Sequence, residues 1–414
     1  MERKRVALVS PIAVAPCRSG NALRVKQIAK VLEHQGFEIW FLFLRIPSLQ
    51  NLAIDEEEMA RLFDGRYRSF EVDWCPGGEH VHQIGLVPCL WERLKARVLR
   101  FKLPVPEFLT DWRFLDFEMP ATLQRSIQKE IEEINPDLIF VEMAICSSFL
   151  KNLQTKAVTV IDTHDIYTGR NRRMRETVPD FRWISLTRQQ ERRALRRADY
   201  VLAIQEEECQ WMEELLGRDD TTKVVLADIL EAEKNFVNES DAQPCAVGYL
   251  GAADPTNLRG LRLFFDQVWP LVREKLPNAI FVLAGGASKT FSDDEFPGLR
   301  VIGFVDQVVQ FYQKVGVSVN PMPGGTGLKL KTIEAVFHGI PVVGTTAAFS
   351  GLSSLDGFPY KAASYDETMA EQIISYLQNP GLRAADCEAA FETLKRQEAH
   401  SHSRISQICQ LECT

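Results

Sequence analysis

Short apolar stretches alternate with amphipathic stretches along most of the chain. RVALVS (5–10), EIWFLFL (38–44) and DLIFVE (137–142) have the length and composition of buried strands. Similar runs predict further strands at 157–163, 200–205, 246–251, 279–286, 299–305, 315–322 and 340–346. Apolar residues at helical spacing lie between several of these runs, as they do after Gly20 and over 261–276. The pattern predicts an α/β protein built from strand–helix–strand units.

A polar segment, residues 238–245, interrupts this pattern, which then starts again. A chain of 414 residues is too long for a single core and favours two domains. We therefore predict a Rossmann-like domain over 1–240, a second over 245–385 and a C-terminal helical tail over 386–414. Two doubly wound domains of this kind face a cleft and bind ligands beyond the carboxyl ends of their strands.

A glycine turn followed by a helix carries the strongest chemical signal. In GGTGLKLKTIEAVFH (324–338), the glycines would let a bulky anion approach backbone N–H groups. If the helix begins near Leu328, then Gly327, Lys331 and Glu334 share one face at i, i+4 and i+7. A cation at the start of the helix and a carboxylate one turn deeper suit a diphosphate and a pair of hydroxyls. The same residues are equally compatible with a surface helix that follows a glycine turn.

Composition and motifs exclude several other classes of protein. The formal net charge of −8 argues against a general nucleic-acid binder. The chain lacks GxGxxG after its first strand and lacks GxxxxGK[ST], which disfavours a dinucleotide oxidoreductase and a P-loop nucleotidase. Its 9 cysteines form no CxxC pair, and the pairs His80/His82 and His400/His402 lack further ligands nearby. We therefore predict no metal site.

The location of the protein follows from similar features. MERKRVALVSP passes from charged residues directly into a strand, without the apolar region of a signal peptide. No apolar run approaches the roughly 18 residues of a membrane span. Scattered cysteines are typical of a reducing compartment. We expect a cytoplasmic protein, with peripheral attachment to the inner face of a membrane as an open alternative.

An ordered series of segments resembles a known family. In the second half these are GYLGAADPTNLRGLRLFFDQVWP, AIFVLAGG, VIGFV and NPMPGGTGLKLKTIEAVFHGIPVVGT, and in the first half VIDTHDIYTGRNRRM and ERRALRRADYVLAIQEEE. They are similar to the retaining glycosyltransferases of the GT-B fold, in the large group-1 (family 4) class. The resemblance covers most of the chain, clearly over 246–352 and weakly over 45–135. It implies that the first domain binds the acceptor and the second the nucleotide sugar.

The resemblance also implies roles for individual residues. Lys331 matches the lysine that holds the donor diphosphate, and Glu334 matches the glutamate that binds the ribose hydroxyls. Backbone N–H groups of Gly325 and Gly327 would face the phosphates or the sugar. His164 matches the first-domain histidine that reaches the donor sugar, and a core or loop role is its alternative. The other donor-binding positions are Gly20, Asn257, Phe304, Val305 and Thr326.

The chain departs from the family pattern at two of the matched positions. Thr326 stands where many relatives have the first glutamate of a Glu-x7-Glu motif, and Ala252 stands where some have arginine. Arg259 then becomes the candidate phosphate-binding cation of its loop, with Asn257 as an alternative contact. Lys329 occupies a place where relatives often have arginine, and a solvated helix residue is its alternative. The base and sugar of the donor stay open.

The reaction that the resemblance implies is sugar transfer from a nucleoside-diphosphate sugar to an acceptor hydroxyl, with retention of configuration. The nucleotide sugar is a substrate, and we predict no cofactor. Lys331, Arg259 and the N–H groups of the turn would stabilise the leaving diphosphate without a metal ion, and His164 completes the predicted catalytic set. The alternatives are a nucleotide-sugar epimerase, which needs acid/base carboxylates in the first domain, and a non-catalytic glycan- or nucleotide-binding protein of the same fold.

The sequence indicates less about the acceptor than about the donor. We expect a glycan, a lipid-linked glycan or an intermediate of a cell-surface polysaccharide. The segment 90–102 is amphipathic and basic, and 170–197 contains ten arginines and three acidic residues. Both could contact an anionic membrane or an anionic acceptor. A buried helix with a solvated basic face and a salt-bridged surface are the respective alternatives.

Overall fold

The computed structural model of the protein describes residues 3–17, 19–46, 54–71, 119–176, 184–218, 220–237, 245–325 and 327–410. They belong to two compact units. The first comprises Met1–Arg175, Asp180–Leu230 and His400–Thr414, and the second is built mainly from Glu231–Ala399. Each unit contains a parallel sheet, so the predicted α/β class with two Rossmann-like domains is confirmed.

The first unit is organised around a sheet of seven described strands, in the order β3-β2-β1-β4-β5-β6-β7. Val6 of β1 pairs with Ile39 of β2 on one side and with Leu138 of β4 on the other. Strand order therefore reverses between β1 and β4, which is where doubly wound proteins hold their ligands. The strands are β1 (Arg5–Ser10), β2 (Glu38–Arg45), β3 (Tyr67–Glu71), β4 (Leu138–Glu142), β5 (Val158–Asp162), β6 (Tyr200–Ala203) and β7 (Lys223–Leu226).

Both faces of this sheet are covered by apolar side chains. Alternate residues of β1 enter different core clusters, with Val6 and Leu8 in one and Ala7 and Val9 in the other, as the two-residue period of a strand requires. The described helices of this unit are α1 (Gly20–His34), α2 (Glu56–Leu62), α3 (Ala121–Ile134), α4 (Arg170–Arg175), α5 (Arg188–Leu195) and α6 (Glu206–Leu216), and a 3₁₀ helix spans Ala144–Asn152.

The second unit repeats the scheme with five described strands, in the order β10-β9-β8-β11-β12. The strands are β8 (Ala246–Leu250), β9 (Ile280–Ala284), β10 (Leu299–Gly303), β11 (Val317–Asn320) and β12 (Val342–Gly344). The helices are α7 (Pro255–Gln267), α8 (Trp269–Lys275), α9 (Val308–Tyr312), α10 (Leu330–Phe337), α11 (Glu367–Gln378) and α12 (Pro380–Gln410), with 3₁₀ helices at Gly286–Thr290 and Thr346–Phe349. Here the reversal lies between β8 and β11.

A glycine allows α7 to approach the loop that follows β11. A Cβ atom on Gly260 would lie 2.0 Å from the carbonyl oxygen of Pro321, a distance that no side chain tolerates. This close approach brings the first turns of α7 beside the loop that leads to α10.

All ten predicted strands are present, but two further strands were missed. β3 and β7 lie at the two edges of the first sheet, and their side chains are largely exposed or half-buried. An edge strand packs against one neighbour only, so its sequence need not show a long apolar run. The helix predicted over 261–276 is broken at Val268, because Pro270 lacks the N–H group that would continue it.

The predicted domain limits differ from those of the structure. Residues 238–244 of the predicted linker lie outside the described residues. The chain joins the second unit earlier, because the Asn235 N–H donates to the Phe337 carbonyl at 2.8 Å and the Val237 N–H to that of His338 at 3.0 Å. The described part of the predicted tail 386–414 is not separate, since α12 extends to Gln410, and Ile405 and Ile408 lie in the core of the first unit.

Candidate functional site

The second unit brings Lys331 and Asn257 together at the carboxyl ends of its strands. Lys331 lies in the first turn of α10, and Asn257 in the first turn of α7, which follows β8. The Lys331 Nζ donates to the Asn257 Oδ1 at 2.6 Å. The Asn257 Nδ2 in turn donates to the Ala252 carbonyl at 3.0 Å and to the Asp254 carboxylate. In this arrangement Asn257 positions the lysine, and its direct contact with a donor stays a prediction.

Lys331 is a cation held in surroundings that disfavour its charge. Burial lowers its pKa from 10.5 to about 8, while Asp254 acts to raise the pKa and Lys329 acts to lower it further. Its ammonium also lies 5.2 Å from the ring centroid of the buried Tyr249. Among the described residues, no carboxylate lies within ion-pair distance of Lys331. An anionic ligand would therefore stabilise it strongly.

The glycine turn before α10 is shaped by a second lysine. The helix begins at Leu330 rather than near Leu328, because Gly327 has a φ of 73°, in the left-handed region. Of the three residues predicted to share one helical face, Lys331 and Glu334 lie on the helix and Gly327 does not. Lys329 is buried, so the solvated alternative is wrong, and its Nζ donates to the carbonyls of Gly325 at 3.3 Å and Gly327 at 2.8 Å. Thr326 lies outside the described residues.

Glu334 lies one turn beyond Lys331 on α10 and accepts a hydrogen bond from a buried tyrosine. The Tyr312 hydroxyl donates to the Glu334 Oε2 at 3.2 Å, and the Tyr312 ring stacks on that of His338 at 4.5 Å. Burial raises the pKa of Glu334, and the hydrogen bond from Tyr312 opposes this shift. The second carboxylate oxygen is left to accept further hydrogen bonds.

The other candidates of this unit are more exposed. Arg259 is exposed on α7, two residues after Asn257, and lies near Tyr365, whose pKa it acts to lower. Phe304 directly follows β10 with 70% of its surface exposed, and Val305 beside it is half-buried. An exposed phenylalanine at a strand end is consistent with contact to a flat ligand group, although the donor-binding roles of these residues stay predictions.

In the first unit, helix α1 is tied to the end of β5 by a buried ion pair. Gly20 is the first residue of α1 and follows Ser19, whose hydroxyl caps the helix by accepting from the Ala22 N–H. One turn later, Arg24 donates through its Nε and Nη2 to the two oxygens of Asp162, each at 2.7 Å. This bidentate contact fixes the start of α1 against the carboxyl end of the sheet.

His164 lies two residues beyond β5 and is buried beside two carboxylates. Its Nε2 lies 2.5 Å from the Glu142 Oε2 and 3.5 Å from the Asp162 Oδ2. Glu142 is the last residue of β4, the neighbour of β5 in the sheet. Burial raises the pKa of Glu142 to about 7, Asp162 adds to this shift, and His164 and Arg24 oppose it. His164 thus belongs to a buried network with two carboxylates, and its contact with a donor sugar stays a prediction.

The three side chains Glu142, Asp162 and His164 are near enough to share a metal ion, with one ligand atom from each within 4.8 Å of the others. Both oxygens of Asp162 already accept from Arg24, and the Nε2 of His164 already contacts Glu142. A metal ion would have to displace these contacts. The chemistry of the donor set therefore fits an ion-pair network better than a metal centre, and metal independence stays a prediction.

Several residues of these sites were not predicted from the sequence. Glu142 and Asp162 lie beside the predicted His164, and Arg24 in turn binds Asp162. In the second unit, Tyr312 contacts the predicted Glu334, and Tyr249 lies beside the predicted Lys331. One signal could have identified Glu142 and Asp162, because each is an acidic residue at the last position of a buried strand. Such positions lie at the ligand-binding edge of a parallel sheet.

Most of the described arginines in the basic segment 170–197 contact other groups of the protein. Arg170 pairs with Asp165 at 2.5 Å, Arg196 pairs with Asp220 at 2.8 Å, and Arg192 donates to the Leu216 carbonyl at 2.8 Å. These contacts fit the salt-bridged alternative. Residues 90–102 lie outside the described residues, so membrane contact through either segment stays a prediction. No helix within the described ranges is long and apolar enough to cross a membrane.

Comparisons with known proteins agree with this architecture. Residues 244–379 match the family described as "Glycosyl transferases group 1". A curated relative, an uncharacterised 44.6 kDa protein in the cps region of Klebsiella pneumoniae, is 26% identical over 150 residues, which are 34% of this chain and 39% of that protein. The matched segment thus spans about two fifths of that relative's length.

Solved structures resemble the chain over nearly its whole length. A sucrose-phosphate synthase from Thermosynechococcus elongatus aligns with a TM-score of 0.66 at 14% identity, over 99% of this chain and 98% of that chain. Anabaena HepE, in complex with UDP and glucose, aligns with a TM-score of 0.59 at 14% identity, over 99% and 100%. A Staphylococcus aureus TarM variant, in complex with UDP, fondaparinux and α-GlcNAc-glycerol, aligns with a TM-score of 0.61 at 10% identity, over 99% and 100%. The chain therefore has the GT-B fold that the sequence predicted, and its residues 244–379 are similar to the group-1 glycosyltransferase family.

Proposed function

We propose that the protein transfers a sugar from a nucleoside-diphosphate sugar to an acceptor hydroxyl, with retention of configuration and without a metal ion. The observation that carries this proposal is Lys331. It is a half-buried cation at the carboxyl end of a parallel sheet, and it is held by the neutral Asn257 and lacks an ion-pair partner among the described residues. Such a group is unfavourable in the ligand-free protein, and a diphosphate would supply the missing negative charge.

Glu334 supports the nucleotide part of this proposal. It lies three residues after Lys331 on the same helix, about 4–5 Å further along the axis at 1.5 Å per residue. Tyr312 occupies one of its oxygens, and the other would accept hydrogen bonds from the ribose hydroxyls. The complexes of HepE and TarM with UDP make a uridine nucleotide the first donor to test.

The reaction breaks the bond between the anomeric carbon and the diphosphate oxygen and forms a bond from that carbon to the acceptor oxygen. The acceptor's proton passes to the leaving phosphate oxygen on the same face, so no protein carboxylate acts as a nucleophile. Negative charge grows on the diphosphate as its bond breaks, and Lys331 and Arg259 stabilise it. His164 contacts the transferred sugar.

The acceptor in this proposal is a glycan, a lipid-linked glycan or an intermediate of a cell-surface polysaccharide. The relative in a cps region supports a polysaccharide context, although the match spans only part of that relative. Arginines of the segment 170–197 that face solvent, such as Arg172 and Arg193, would attract an anionic acceptor.

A direct experiment is to incubate the protein with UDP-, GDP-, ADP- and dTDP-sugars, with and without candidate acceptor glycans, and to measure the released nucleoside diphosphate and the products. Acceptor-dependent release and an elongated glycan of retained configuration support the proposal. A new nucleotide sugar without an acceptor would identify an epimerase, and binding without turnover would identify a binding protein. Either result would overturn the transferase proposal.

Matched variants make this assay specific. Lys331→Met removes the candidate phosphate contact, and Lys314→Met removes an exposed lysine of the same unit. Turnover should fall at least about 30-fold in the first variant, which corresponds to about 2 kcal/mol of lost charge-assisted binding in the transition state. The second variant should retain the activity of the wild type.

A further inference from the structure

A lysine lies at the start of α10, where a helix is normally capped by an acceptor. Lys329 directly precedes the helix, and its side chain makes no capping hydrogen bond. The usual cap residues offer an oxygen to the first N–H groups, and the start of a helix carries a partial positive charge. Lysine offers donors and a positive charge instead. Lys329 is also only 4% exposed, so burial adds to the cost of this placement, and helix stability does not explain the residue.

The ammonium group of Lys329 binds carbonyl groups of the preceding turn. Its Nζ donates to the Gly327 carbonyl at 2.8 Å and to the Gly325 carbonyl at 3.3 Å. The two glycines have φ values of 73° and 149°, which residues with a Cβ atom rarely adopt. A Cβ atom on Gly325 would also lie 2.6 Å from the Cε of Met322. The turn is thus folded around the lysine, with these two carbonyls directed at it.

This arrangement leaves two backbone N–H groups open. In a regular α-helix the Gly327 carbonyl would accept from the Lys331 N–H, four residues later. Lys329 occupies that carbonyl instead, and the Lys331 N–H donates to no group among the described residues. The peptide bond from Gly327 to Leu328 is trans and planar, so the Leu328 N–H points away from the ammonium of Lys329. Within the described ranges, this N–H has no acceptor either.

We infer that Lys329 is a positioning residue, which holds the carbonyls of Gly325 and Gly327 and so leaves the N–H groups of Leu328 and Lys331 to donate to a phosphate group of the donor. The identity of the anion rests on the proposed function. The hold on the turn rests on the contacts of Lys329 alone.

The charges at this helix start also favour an anion. Lys329 acts to lower the pKa of Lys331, as a second cation nearby does. Phosphate oxygens accept from ammonium groups and from the N–H groups of a helix start alike. Because the ammonium of Lys329 lies within the turn, Lys331 and the two N–H groups contact the phosphate, and Lys329 acts through the turn.

Backbone amide NMR of the wild type, titrated with inorganic pyrophosphate, tests the inference without using turnover. The amide protons of Leu328 and Lys331 should move downfield as pyrophosphate binds, because a charged oxygen becomes their acceptor. The amide of Phe281, which donates to the Gly298 carbonyl, should not move. Binding of pyrophosphate that leaves the Leu328 and Lys331 amides in place overturns the inference, and this measurement needs no variant.

Lys329→Met tests the hold on the turn. Methionine fills much of the same space but gives the Gly325 and Gly327 carbonyls no donor. Deuterium exchange over 322–331 should therefore become faster in the ligand-free protein, and pyrophosphate should bind about tenfold more weakly. Lys314→Met, which removes an exposed lysine of the same unit, should change neither quantity. A folded Lys329→Met in which exchange or affinity stays at the wild-type value overturns the inference.

A double-mutant cycle separates a role through the turn from a direct contact with phosphate. Gly327→Ala disturbs the same turn, because alanine disfavours a φ of 73°. If Lys329 acts through the turn, each single variant and the double variant should weaken pyrophosphate by a similar factor of about ten. Losses that multiply to about a hundredfold indicate independent contributions, as a direct contact of Lys329 would give, and overturn the positioning role.

The same measurements separate this inference from the proposed function. If pyrophosphate binds and the variants behave as expected, but no nucleotide sugar supports transfer, the proposed function fails and the positioning role stands. A wild type that binds neither pyrophosphate nor UDP overturns the phosphate contact. Deuterium exchange in ligand-free wild type, Lys329→Met and Lys314→Met then decides whether Lys329 holds the turn.

Discussion

The replacement Lys331→Met tests whether the charge of this lysine is kept for a ligand. Methionine has a similar length and no charge, so the substitution removes the ammonium and leaves little empty space. For an exposed lysine, such a change would alter the free energy of unfolding by no more than about 0.5 kcal/mol. Lys331 differs because it is half-buried and its pKa is lowered to about 8.

The magnitude follows from the pKa shift. Each pKa unit corresponds to about 1.4 kcal/mol, so the fall from 10.5 to about 8 represents about 3 kcal/mol at neutral pH, or about 2 kcal/mol after allowing for the part that water reaches. Against this gain, the variant leaves the Asn257 Oδ1 without its donor, which costs about 1–3 kcal/mol. We expect the stability of the ligand-free variant to lie within about 1 kcal/mol of that of the wild type.

The dependence on pH is the more specific signature. Because the pKa of Lys331 is lowered in the folded state, its charge does not reduce the free energy of unfolding above the unfolded pKa of about 10.5. As the pH falls from there through about 8, the wild type loses stability, and the loss is complete below about 8. The variant lacks this loss, so its stability relative to the wild type should be highest at pH 7 and should decrease by about 1 kcal/mol by pH 9. Urea unfolding of both proteins and of Lys314→Met at the two pH values measures the difference.

Binding completes the test. Loss of a charge-assisted contact of about 2–3 kcal/mol should weaken a bare nucleoside diphosphate about 30- to 150-fold in Lys331→Met, measured by calorimetry. A variant that is clearly less stable at both pH values and binds the nucleotide normally would refute the reasoning. Lys331 would then be a structural residue that supports the loop around Asn257.

Three further predictions concern the same unit. Glu334→Gln should weaken the bare nucleoside diphosphate about tenfold or more, because a neutral amide accepts weaker hydrogen bonds from the ribose, and equal affinity in calorimetry would remove Glu334 from the site. Nucleotide binding at pH 8 should take up roughly half a proton, because Lys331 is about half-protonated there and the diphosphate raises its pKa. Calorimetry in buffers of different ionisation enthalpy measures this proton uptake. The uptake should be absent in Lys331→Met. Transfer activity should survive EDTA, and a complete loss that Mg²⁺ or Mn²⁺ restores would contradict metal independence.

The parts of the fold that the sequence predicted are those determined by local patterns. A strand buried on both faces reads as a continuous apolar run, so the central strands were found with limits close to those observed. Lys331 and Glu334 share a face because three residues along a helix determine that relation. The early boundary of the second unit was missed because it depends on hydrogen bonds from Asn235 and Val237 to residues about a hundred positions away.

The contacts that define the sites were harder to predict for the same reason. Asn257 and Lys331 are separated by 74 positions and Glu142 and His164 by 22, and their meeting depends on which strands lie side by side in each sheet. The burial of Lys329 was not predicted either, because a lysine after a glycine turn is normally solvated. Its position is determined by hydrogen bonds to carbonyl groups of the turn, and the sequence does not show how these carbonyls are oriented.

The two units carry side chains of opposite charge near the carboxyl ends of their parallel strands. In the second unit, a cation beyond the end of β11 lacks an ion-pair partner among the described residues. In the first, both oxygens of Asp162 at the end of β5 accept from Arg24, whereas Glu142 at the end of β4 contacts His164, and burial and Asp162 raise the pKa of Glu142 to about 7. Burying charged groups costs free energy, and replacing them with apolar residues is often neutral or stabilising in proteins. A diphosphate would supply the negative charge that Lys331 lacks, whereas the carboxylates of the first unit would repel it. If a nucleotide sugar is the substrate, as we propose, its phosphates should bind beside Lys331 in the second unit and not beside Glu142 and Asp162.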